Sequence, residues 1–378
     1  MNPINVFKPK FRTEEILSEI KECLDNGWTG LGFKTVQFEK AWKQYTGFKY
    51  AHFLNSNSAG LHLAVKILKD VNKWQDEDEI ITTPLTFVST NHAIIYENLK
   101  PVFADVDDQL CIDPESIIAN ITRKTKAVMY VGIGGNIGQY NKIVKICKKY
   151  KLKLILDAAH MAGTKVDDTQ VGHDADVTVF SFQAVKNLAT ADSGMICFKN
   201  GDYDELARKM SWLGIDKDTY SRTHSQGNYK WDYDVPTVGY KYHGNSIMAA
   251  MGLVQLKYLD IDNDHRRMIA SEYEKLLADH QLHVQIIRHN EDCQSSRHLF
   301  QISINNRDEL LNYLNINGIN PGVHYKDNTT YSIYKKSFGK CPNAHKISKE
   351  LLTLPIHCHM TKTDVKYIVD IIKNWINK

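Results

Sequence analysis

Short apolar runs alternate with segments of helical periodicity between about Lys49 and Phe198. The apolar runs predict strands at YAHFL, DEIITT, KPVFADV, KAVMYV, LKLILDAA, ADVTVFSF and GMICFK. The periodic segments between them predict helices at SAGLHLAVKILKD, STNHAIIYENL, DPESIIANI and QYNKIVKICKKYK. The two most continuous apolar strands lack a period of two, which is typical of a sheet covered on both faces. Repeated βα units with right-handed crossovers therefore predict an α/β fold with a mostly parallel sheet.

The pattern changes after Lys199. Residues 212–245 are polar and aromatic with little periodicity, and a loop of this length in a compact protein usually has a function. Residues 245–280 predict two long helices, and a strand at RHLFQISI, a helix at RDELLNYLNING and a final helix at KTDVKYIVDIIKNWINK follow. We therefore predict a large domain of residues 1–245, whose N-terminal segment packs on the other domain, and a small α+β domain of residues 246–378.

Composition and charge narrow the class of protein. The 378 residues are 43% hydrophobic and 24% charged, which is typical of a globular chain long enough for two domains. A formal charge of +3 argues against a dedicated nucleic-acid-binding protein. No apolar run reaches the roughly 20 residues of a membrane span, and MNPINVFKPKFRTEE lacks the apolar core of a signal peptide. Seven scattered cysteines without a C-x-x-C pair favour reduced thiols and a cytoplasmic location.

The glycine-rich segment VGIGGNIG follows a predicted strand and precedes a predicted helix, as a dinucleotide-binding turn does. Asp157 lies about 20 residues further on, where such a fingerprint has an acidic residue. However, Ile137 occupies the third glycine position, and the unit comes late in the βα series. Glycine-rich βα turns are common without a dinucleotide, so we expect no nicotinamide cofactor here.

Four polar segments each follow a predicted strand: NSNSAG, TPLTFVST, LILDAAHMAG and FSFQAVKN. The carboxyl ends of parallel strands line one crevice of an open sheet. The crevice would then hold a helix N-terminus with hydroxyls, an aromatic ring, a carboxylate with a histidine, and a lysine. Each feature has an ordinary explanation when taken alone. Ser58 can be only an N-cap, Phe87 a core residue and Lys186 a solvated lysine.

Together these groups match the chemistry of pyridoxal phosphate. The helix N–H groups and hydroxyls of SNSAG suit its phosphate, and Phe87 can cover one face of its ring. Asp157 can keep its pyridine nitrogen protonated, as an electron sink requires. Burial next to an apolar strand can lower the pKa of the Lys186 amine, which condensation with an aldehyde needs. We therefore predict that Lys186 is the lysine that forms an imine with this cofactor.

Nearly the whole chain resembles the DegT/StrS-type sugar aminotransferases, which have the type I fold of aspartate aminotransferase. The resemblance runs through DNGWTGLGFKTVQFEKAWKQYTG, NSAGLHLA, TPLTFVSTNHAI, KPVFADVD, ITRKTKAV, LDAAHMAG, FSFQAVKN, VGYKYHGNSIMAAMGLVQL and LTLPIHCHMTKTDV. Two segments depart from the family pattern. ATADSG stands where TGEGG is commoner, and YVGIGGNIG stands where a histidine is usual. These departures bear on the sugar and its docking more than on the cofactor.

The resemblance implies roles for four residues around the cofactor ring. Lys186 corresponds to the Schiff-base lysine, and Asp157 corresponds to the partner of the pyridine nitrogen. His160 corresponds to the residue on one face of the cofactor, where the family has histidine or glutamine. Phe87 corresponds to the stacking residue on the other face.

The resemblance also implies phosphate and substrate contacts. Asn57, Ser58 and Ser181 correspond to phosphate contacts. Lys241 stands where many members have an asparagine that reaches the phosphate of the neighbouring subunit, which implies a homodimer with shared active sites. The expected substrate contacts are the aromatic loop after Gly214 together with Trp28, His324 and Tyr325.

The presence of Lys186 favours transamination, because relatives with histidine at this position act as dehydratases. The resemblance implies a ping-pong aminotransferase with glutamate as the amino donor and a nucleotide-linked keto sugar as the acceptor. A 4-keto-6-deoxyhexose for a surface polysaccharide such as an O-antigen is the leading expectation, and a 3-keto sugar is the alternative. A dehydratase and a non-enzymatic regulator with this fold remain open. So does a metal enzyme using His357, Cys358 and His359, although no carboxylate stands nearby at ligand spacing.

Overall fold

The computed structural model describes residues 3–216, 233–280, 282 and 284–378. Its strands are β1 (Ile4–Asn5), β2 (Tyr50–Leu54), β3 (Glu79–Thr82), β4 (Lys100–Phe103), β5 (Thr125–Val131), β6 (Lys153–Asp157), β7 (Lys165–Val166), β8 (Thr169–Gln170), β9 (Val177–Ser181), β10 (Gly194–Phe198), β11 (Gln285–Ile286), β12 (Phe300–Ser303), β13 (Ile319–Asn320) and β14 (Leu351–Leu354). Short 3₁₀ helices span Ile133–Gly135, Asn328–Thr330 and Ser332–Ser337.

Twelve α-helices lie within these described residues. They are α1 (Thr13–Asp25), α2 (Phe33–Thr46), α3 (Asn57–Asn72), α4 (Val88–Ile95), α5 (Pro114–Asn120), α6 (Tyr140–Tyr150), α7 (Gly201–Ser211), α8 (Ser246–Lys257), α9 (Leu259–Asp279), α10 (Arg307–Ile316), α11 (Pro342–Glu350) and α12 (Lys362–Ile376). The helices predicted between Lys49 and Phe198 are therefore α3 to α6, with ends shifted by a few residues.

The central sheet has seven strands in the order β2-β10-β9-β6-β5-β3-β4. Strand β10 runs antiparallel to both of its neighbours, and the other paired strands are parallel. All of its strands come from the segments that the apolar pattern marked. The prediction of an α/β fold with a mostly parallel sheet is confirmed.

Burial on both faces explains why β6 and β9 lack a two-residue period. Every residue of β9 is buried, and only the first residue of β6 is not. Helix α3 lies close against this sheet, since a Cβ at Gly60 would stand 2.5 Å from Cγ1 of Val179. The close contact places the N-terminus of α3 beside the carboxyl ends of β6 and β9.

The C-terminal part contains an antiparallel sheet in the order β11-β12-β14. Tyr273 of α9, Phe300 of β12 and Ile368 of α12 belong to a third hydrophobic cluster, separate from the two clusters that pack on the central sheet. The N-terminal strand joins this region, because Ile4 of β1 pairs with Ile319 of β13. The sequence pattern predicted β12 but not its partner strands. The division of the chain at residue 245 stays a prediction.

Candidate active site

A cavity of about 440 Å³ opens at the carboxyl edge of the central sheet. Its volume is in the range of small-molecule sites, which is roughly 300–1,000 Å³. The structure brings most of the predicted site residues to this one cavity. They are Asn57, Ser58, Phe87, Asp157, His160, Ser181, Lys186, His324 and Tyr325.

Asp157 ends strand β6, and its carboxylate is 4% exposed. Oδ2 accepts a hydrogen bond from Oγ1 of Thr90 at 2.7 Å, and Oδ1 accepts from the backbone N–H of Ala159 at 3.1 Å. Burial raises the pKa of Asp157, while these hydrogen bonds and the charge of Lys186 oppose the rise. A carboxylate held in this way is suited to a cationic partner inside the cavity.

Lys186 lies in the turn that follows β9. Its backbone N–H donates to the carbonyl of Gln183 at 2.8 Å, and Oε1 of the Gln183 side chain accepts from the N–H of Val185 at 3.1 Å. Burial lowers the pKa of the Lys186 amine to about 8, although the charge of Asp157 opposes the change. An amine with this pKa exists in both protonation states near neutral pH.

The N-terminus of α3 faces the same cavity. Ser56, and not Ser58, is the N-cap, because its hydroxyl accepts from the N–H of Ala59 at 3.1 Å. The explanation of Ser58 as a simple cap is therefore wrong, and Ser58 lines the cavity from the first turn. Asn57 reaches the other way, donating from Nδ2 to Oδ1 of Asp157 at 3.4 Å and to the carbonyl of Val179 at 3.2 Å.

His160 follows Asp157 by three residues and is buried. Its Nδ1 lies 3.1 Å from the backbone N–H of Gly134, and its Nε2 lies 3.2 Å from the hydroxyl of Tyr325. Burial and the charge of Lys186 hold the pKa of His160 well below its usual value, so the ring is neutral. Because Nδ1 accepts from Gly134, the proton of the neutral ring is on Nε2 and points to Tyr325.

Phe87 stands at the start of α4 and is 60% exposed. Its ring centroid lies 6.2 Å from that of Tyr325, and both residues line the cavity. The explanation of Phe87 as a core residue is therefore wrong. An exposed aromatic ring on a cavity wall is available to cover a flat ligand.

The glycine-rich segment supports His160. Gly134 has φ +64° and supplies the N–H that donates to His160. Gly135 has φ +89°, and a Cβ there would lie 2.2 Å from Oγ of Ser296. These positions need glycine because of a left-handed backbone and close packing.

Two predicted site residues lie outside the cavity. Lys241 places Nζ 3.4 Å from the ring centroid of Trp212, and Trp28 donates from Nε1 to the carbonyl of Leu31 at 2.6 Å. Neither Lys241 nor Trp28 is among the described residues that line the cavity. Most of the aromatic loop after Gly214 is outside the described residues, which resume at Tyr233.

Sequence reasoning missed several residues of the site. Thr90 holds Asp157, and the further lining residues to which the sequence assigned no role are Phe7, Gln183, Asp192, Ser193 and His298. Phe7 and His298 are far apart in the sequence and meet in three dimensions, with ring centroids 5.2 Å apart. Thr90 and Gln183 could have been found from the sequence, because they stand in TPLTFVST and FSFQAVKN, which were already predicted to follow strands.

The candidate metal site is engaged in other contacts. Sγ of Cys358 lies 3.0 Å from a guanidinium nitrogen of Arg266, and Nε2 of His359 lies 3.2 Å from the carbonyl of Pro9. Within the part of the chain that the structure describes, no three His, Cys, Asp or Glu residues stand together as metal ligands would. The described helices also include none that is both long enough and apolar enough to cross a membrane.

The fold and its structural neighbours define a class of protein, the pyridoxal-phosphate-dependent sugar aminotransferases. Within this class the chain belongs to the DegT/DnrJ/EryC1/StrS aminotransferase family, whose model matches residues 11–373. The resemblance predicted from the sequence motifs is thereby confirmed, as are the enzyme class and the cofactor.

The relatives include spore coat polysaccharide biosynthesis protein SpsC of Bacillus subtilis, which is 34% identical over 96% of this chain and 94% of its own. An uncharacterised protein of Methanocaldococcus jannaschii is also 34% identical, over 98% of both chains. Among solved structures, Helicobacter pylori PseC, an aminotransferase involved in the biosynthesis of pseudoaminic acid, matches with a TM-score of 0.90 at 25% identity over 100% of both chains. Streptococcus pneumoniae Spr1654, described as a sugar aminotransferase, also matches at 26% identity. Its PLP form has a TM-score of 0.89 over 98% of both chains. Its PMP form has a TM-score of 0.90 over 100% of this chain and 99% of its own.

The residues present fit pyridoxal phosphate. The cavity has hydroxyls and a helix N-terminus at one side, contributed by Ser58, Ser181 and α3, which suit a phosphate. It has a buried carboxylate for a cationic ring nitrogen and a lysine with a lowered pKa for an aldehyde. Gly194 keeps β10 close to the start of α3, since a Cβ there would lie 2.7 Å from the backbone nitrogen of Asn57.

Proposed function

We propose that this enzyme transfers an amino group from glutamate to a nucleotide-linked 4-keto-6-deoxyhexose and so makes a 4-amino sugar for a surface polysaccharide. The observation that carries the proposal is the arrangement of Lys186 and Asp157 in one cavity, with the pKa of Lys186 lowered to about 8. The likeness to SpsC and PseC supports a sugar acceptor, because both belong by name to the biosynthesis of glycans or their sugars.

The cofactor, when bound, supplies an electron sink for the negative charge that develops at the reacting carbon. Lys186 then acts as the general acid and base, because Nζ can take up a proton from the substrate carbon and return it near neutral pH. Asp157 would hold the positive charge of the ring nitrogen, and the hydroxyl of Thr90 keeps Oδ2 oriented. Ser58 and Ser181 would donate to the phosphate, while Asn57 supports Asp157. His160 and Phe87 would cover the cofactor ring.

His324 and Tyr325 also line the cavity. Nδ1 of His324 lies 3.0 Å from Oγ1 of Thr353, which fixes the ring. Burial and the charge of Lys186 lower the pKa of His324 to about 4, so it is neutral and can hydrogen-bond a sugar hydroxyl. We assign these two residues to the sugar.

Activity is tested by incubating the enzyme with glutamate and a panel of nucleotide-linked 3-keto and 4-keto sugars, with the amino product measured by mass. Lys186→Ala is expected to abolish turnover. Lys199→Ala is the matched control, because Lys199 also follows a strand but lies in a different pocket, with Lys153 and Asp176. The assignment is wrong if Lys186→Ala keeps full activity, and a 3-keto product would replace the proposed sugar by its alternative.

We also propose a homodimer in which Lys241 binds the phosphate in the partner's site. Lys241 lies outside the cavity of its own chain, and the nearby Val238 is an apolar side chain that is 83% exposed. Burial lowers the pKa of Lys241, but the family position still calls for a phosphate ligand.

The seven cysteines are free, which supports a location in the reducing cytoplasm.

Mixed dimers test the shared site. Lys186→Ala and Lys241→Ala are each expected to be impaired, and a mixed dimer regains one intact site that combines Lys186 of one protomer with Lys241 of the other. After co-refolding, the mixture should reach about a quarter of wild-type activity, since half of the dimers are mixed and each has one of two sites intact. Activity no higher than the mean of the two variants would exclude sharing through Lys241.

A further inference from the structure

His298 is a buried histidine on the wall of the cavity, two residues before strand β12. It is 2% exposed, and its ring centroid lies 4.3 Å from that of His160. The Phe7 ring also stacks on it, with centroids 5.2 Å apart and an angle of 11° between the planes. The ring is therefore held firmly, and its hydrogen bonds decide what it presents to the cavity.

The amide of Asn187 fixes the tautomer of His298. Nδ2 of Asn187 donates to Oδ1 of Asn263 at 2.8 Å and to the carbonyl of Ser296 at 2.8 Å, so both amide protons are used. Asn263 is oriented in turn, because its own Nδ2 donates to the carbonyl of Ala162 at 3.0 Å. Oδ1 of Asn187 therefore faces Nδ1 of His298 at 2.9 Å and requires a proton on that nitrogen.

Nε2 of His298 is left as a hydrogen-bond acceptor. Burial and the nearby charge of Lys186 hold the pKa of His298 well below its usual value, so the ring is neutral. With the proton on Nδ1, the lone pair is on Nε2. Among the described residues no group donates to this nitrogen, although the residue lines the cavity. A fixed acceptor without a protein donor is suited to a donor on a bound molecule.

The neighbouring His160 has the opposite tautomer. Its Nε2–H points to the hydroxyl oxygen of Tyr325, so the proton of that hydroxyl is available to the cavity. Burial raises the pKa of Tyr325, which keeps it a hydroxyl. This wall therefore offers one acceptor, from His298, and one donor, from Tyr325.

We propose that Nε2 of His298 accepts a hydrogen bond from a ring hydroxyl of the keto sugar and thereby selects which sugars are aminated. The inference rests on the proposed function. A sugar hydroxyl fits because it is a donor, whereas the carboxylates of glutamate are only acceptors and its amino group is the group that condenses with the cofactor. His298 is thus a specificity-determining residue of the sugar half-reaction.

Measuring the reaction with the keto sugar and the reaction with glutamate separately distinguishes a role of His298 in sugar recognition from a general role in catalysis or packing. His298→Leu should lower kcat/KM for the keto sugar about 10- to 100-fold, as expected for a lost hydrogen bond in a buried site. The reaction with glutamate, followed by the absorbance of the cofactor, should stay within about twofold. His298→Gln should recover part of the loss through its amide oxygen. His357→Leu, at a buried histidine outside the cavity, is the matched control.

A sugar analogue that lacks the hydroxyl gives the second arm. The wild type should lose the same factor with the deoxy analogue, and His298→Leu should lose nothing further. Equal losses in both half-reactions would instead assign His298 to proton transfer or to packing and overturn the proposal. An unaffected His298→Leu enzyme would also overturn it.

The imidazole ¹⁵N spectrum of the wild type gives a test that is independent of turnover. His298, identified by its absence in His298→Gln, should show a protonated Nδ1 and an unprotonated Nε2. Saturation with the unreactive alcohol counterpart of the accepted keto sugar should shift Nε2. An unchanged Nε2 resonance would contradict the proposal. Failure of the wild type to aminate any nucleotide-linked keto sugar would be a failure of the proposed function instead.

Discussion

The Lys186 amine should titrate near pH 8 in the cofactor-free enzyme. Burial lowers its pKa from the ordinary 10.5, and the nearby charge of Asp157 limits the fall. Asp157→Asn keeps the size of the side chain and removes that charge. The pKa of Lys186 should therefore fall further, below 8, because a cation in a buried site loses its compensating anion.

The size of the effect follows from the titration curve. At pH 7 an amine with a pKa of 10.5 is neutral in about 3 molecules in 10,000, whereas a pKa of about 8 gives about 1 in 11. Burial thus raises the reactive fraction of Lys186 about 300-fold. At pH 6 the wild-type fraction is about 1%, and a further fall of one pKa unit in Asp157→Asn would raise it to about 9%.

Competitive labelling measures this pKa directly. Cofactor-free protein is exposed to a trace of acetic anhydride between pH 5 and 11, and the label on Lys186 is compared by peptide mapping with that on the exposed Lys21. Asp176→Asn is the control, because Asp176 pairs with Lys153 at 2.9 Å outside the cavity. A midpoint near 10.5 in the wild type, or a rise in Asp157→Asn, would refute the reasoning.

Two further predictions concern buried carboxylates. Thr90→Val removes the hydroxyl that donates to Oδ2 of Asp157. Urea unfolding should therefore show a free energy of unfolding lower by about 1–3 kcal/mol. The acid limb of the kcat/KM profile should move to higher pH, and an unchanged profile would contradict this. Burial opposes ionisation of Glu39, but Arg208 and His52 outweigh it and lower its pKa from 4.5 to about 2. The stability from this group is present above about pH 4.5 and is lost as pH falls through 2, so Glu39→Gln should cost about 3 kcal/mol at pH 7 and little at pH 2. A stability difference between the wild type and Glu39→Gln that does not change with pH would exclude ionisation of Glu39 as its cause.

The central sheet was predictable because its βα alternation is a local property of the sequence. Strands buried on both faces leave continuous apolar runs, and the polar residues that follow them, such as Asp157 and Lys186, mark the carboxyl edge. Strand direction is not local in this sense. The reversed strand β10 has the same apolar composition as its neighbours, and only its pairing of Met195 with both Phe53 and Phe180 shows its orientation.

The walls of the site were less predictable because they are made by contacts between distant segments. The backbone N–H that holds His160 comes from Gly134, whose sequence context suggested a different use. The His298 ring packs on this histidine and Phe7 stacks on His298, although these residues are far apart in the sequence and neither Phe7 nor His298 stands in a motif. Lys241 was assigned from its sequence position, and its own chain does not bring it to the cavity.

The two departures from the family pattern make different contacts around the site. In ATADSG, the Thr190 hydroxyl donates to the carbonyl of Phe182 at 2.9 Å and lies 2.7 Å from the Ser193 hydroxyl. The hydroxyls of Thr190 and Ser193 are therefore satisfied within the turn and do not bond to Lys186 or Asp157. In VGIGGNIG, Gly134 orients His160 and thereby the hydroxyl of Tyr325. The second departure therefore acts on the wall that would meet the sugar, while the bonds that hold the catalytic carboxylate are made elsewhere. Substrate choice can change along that wall while Thr90 and the N–H of Ala159 keep Asp157 in place.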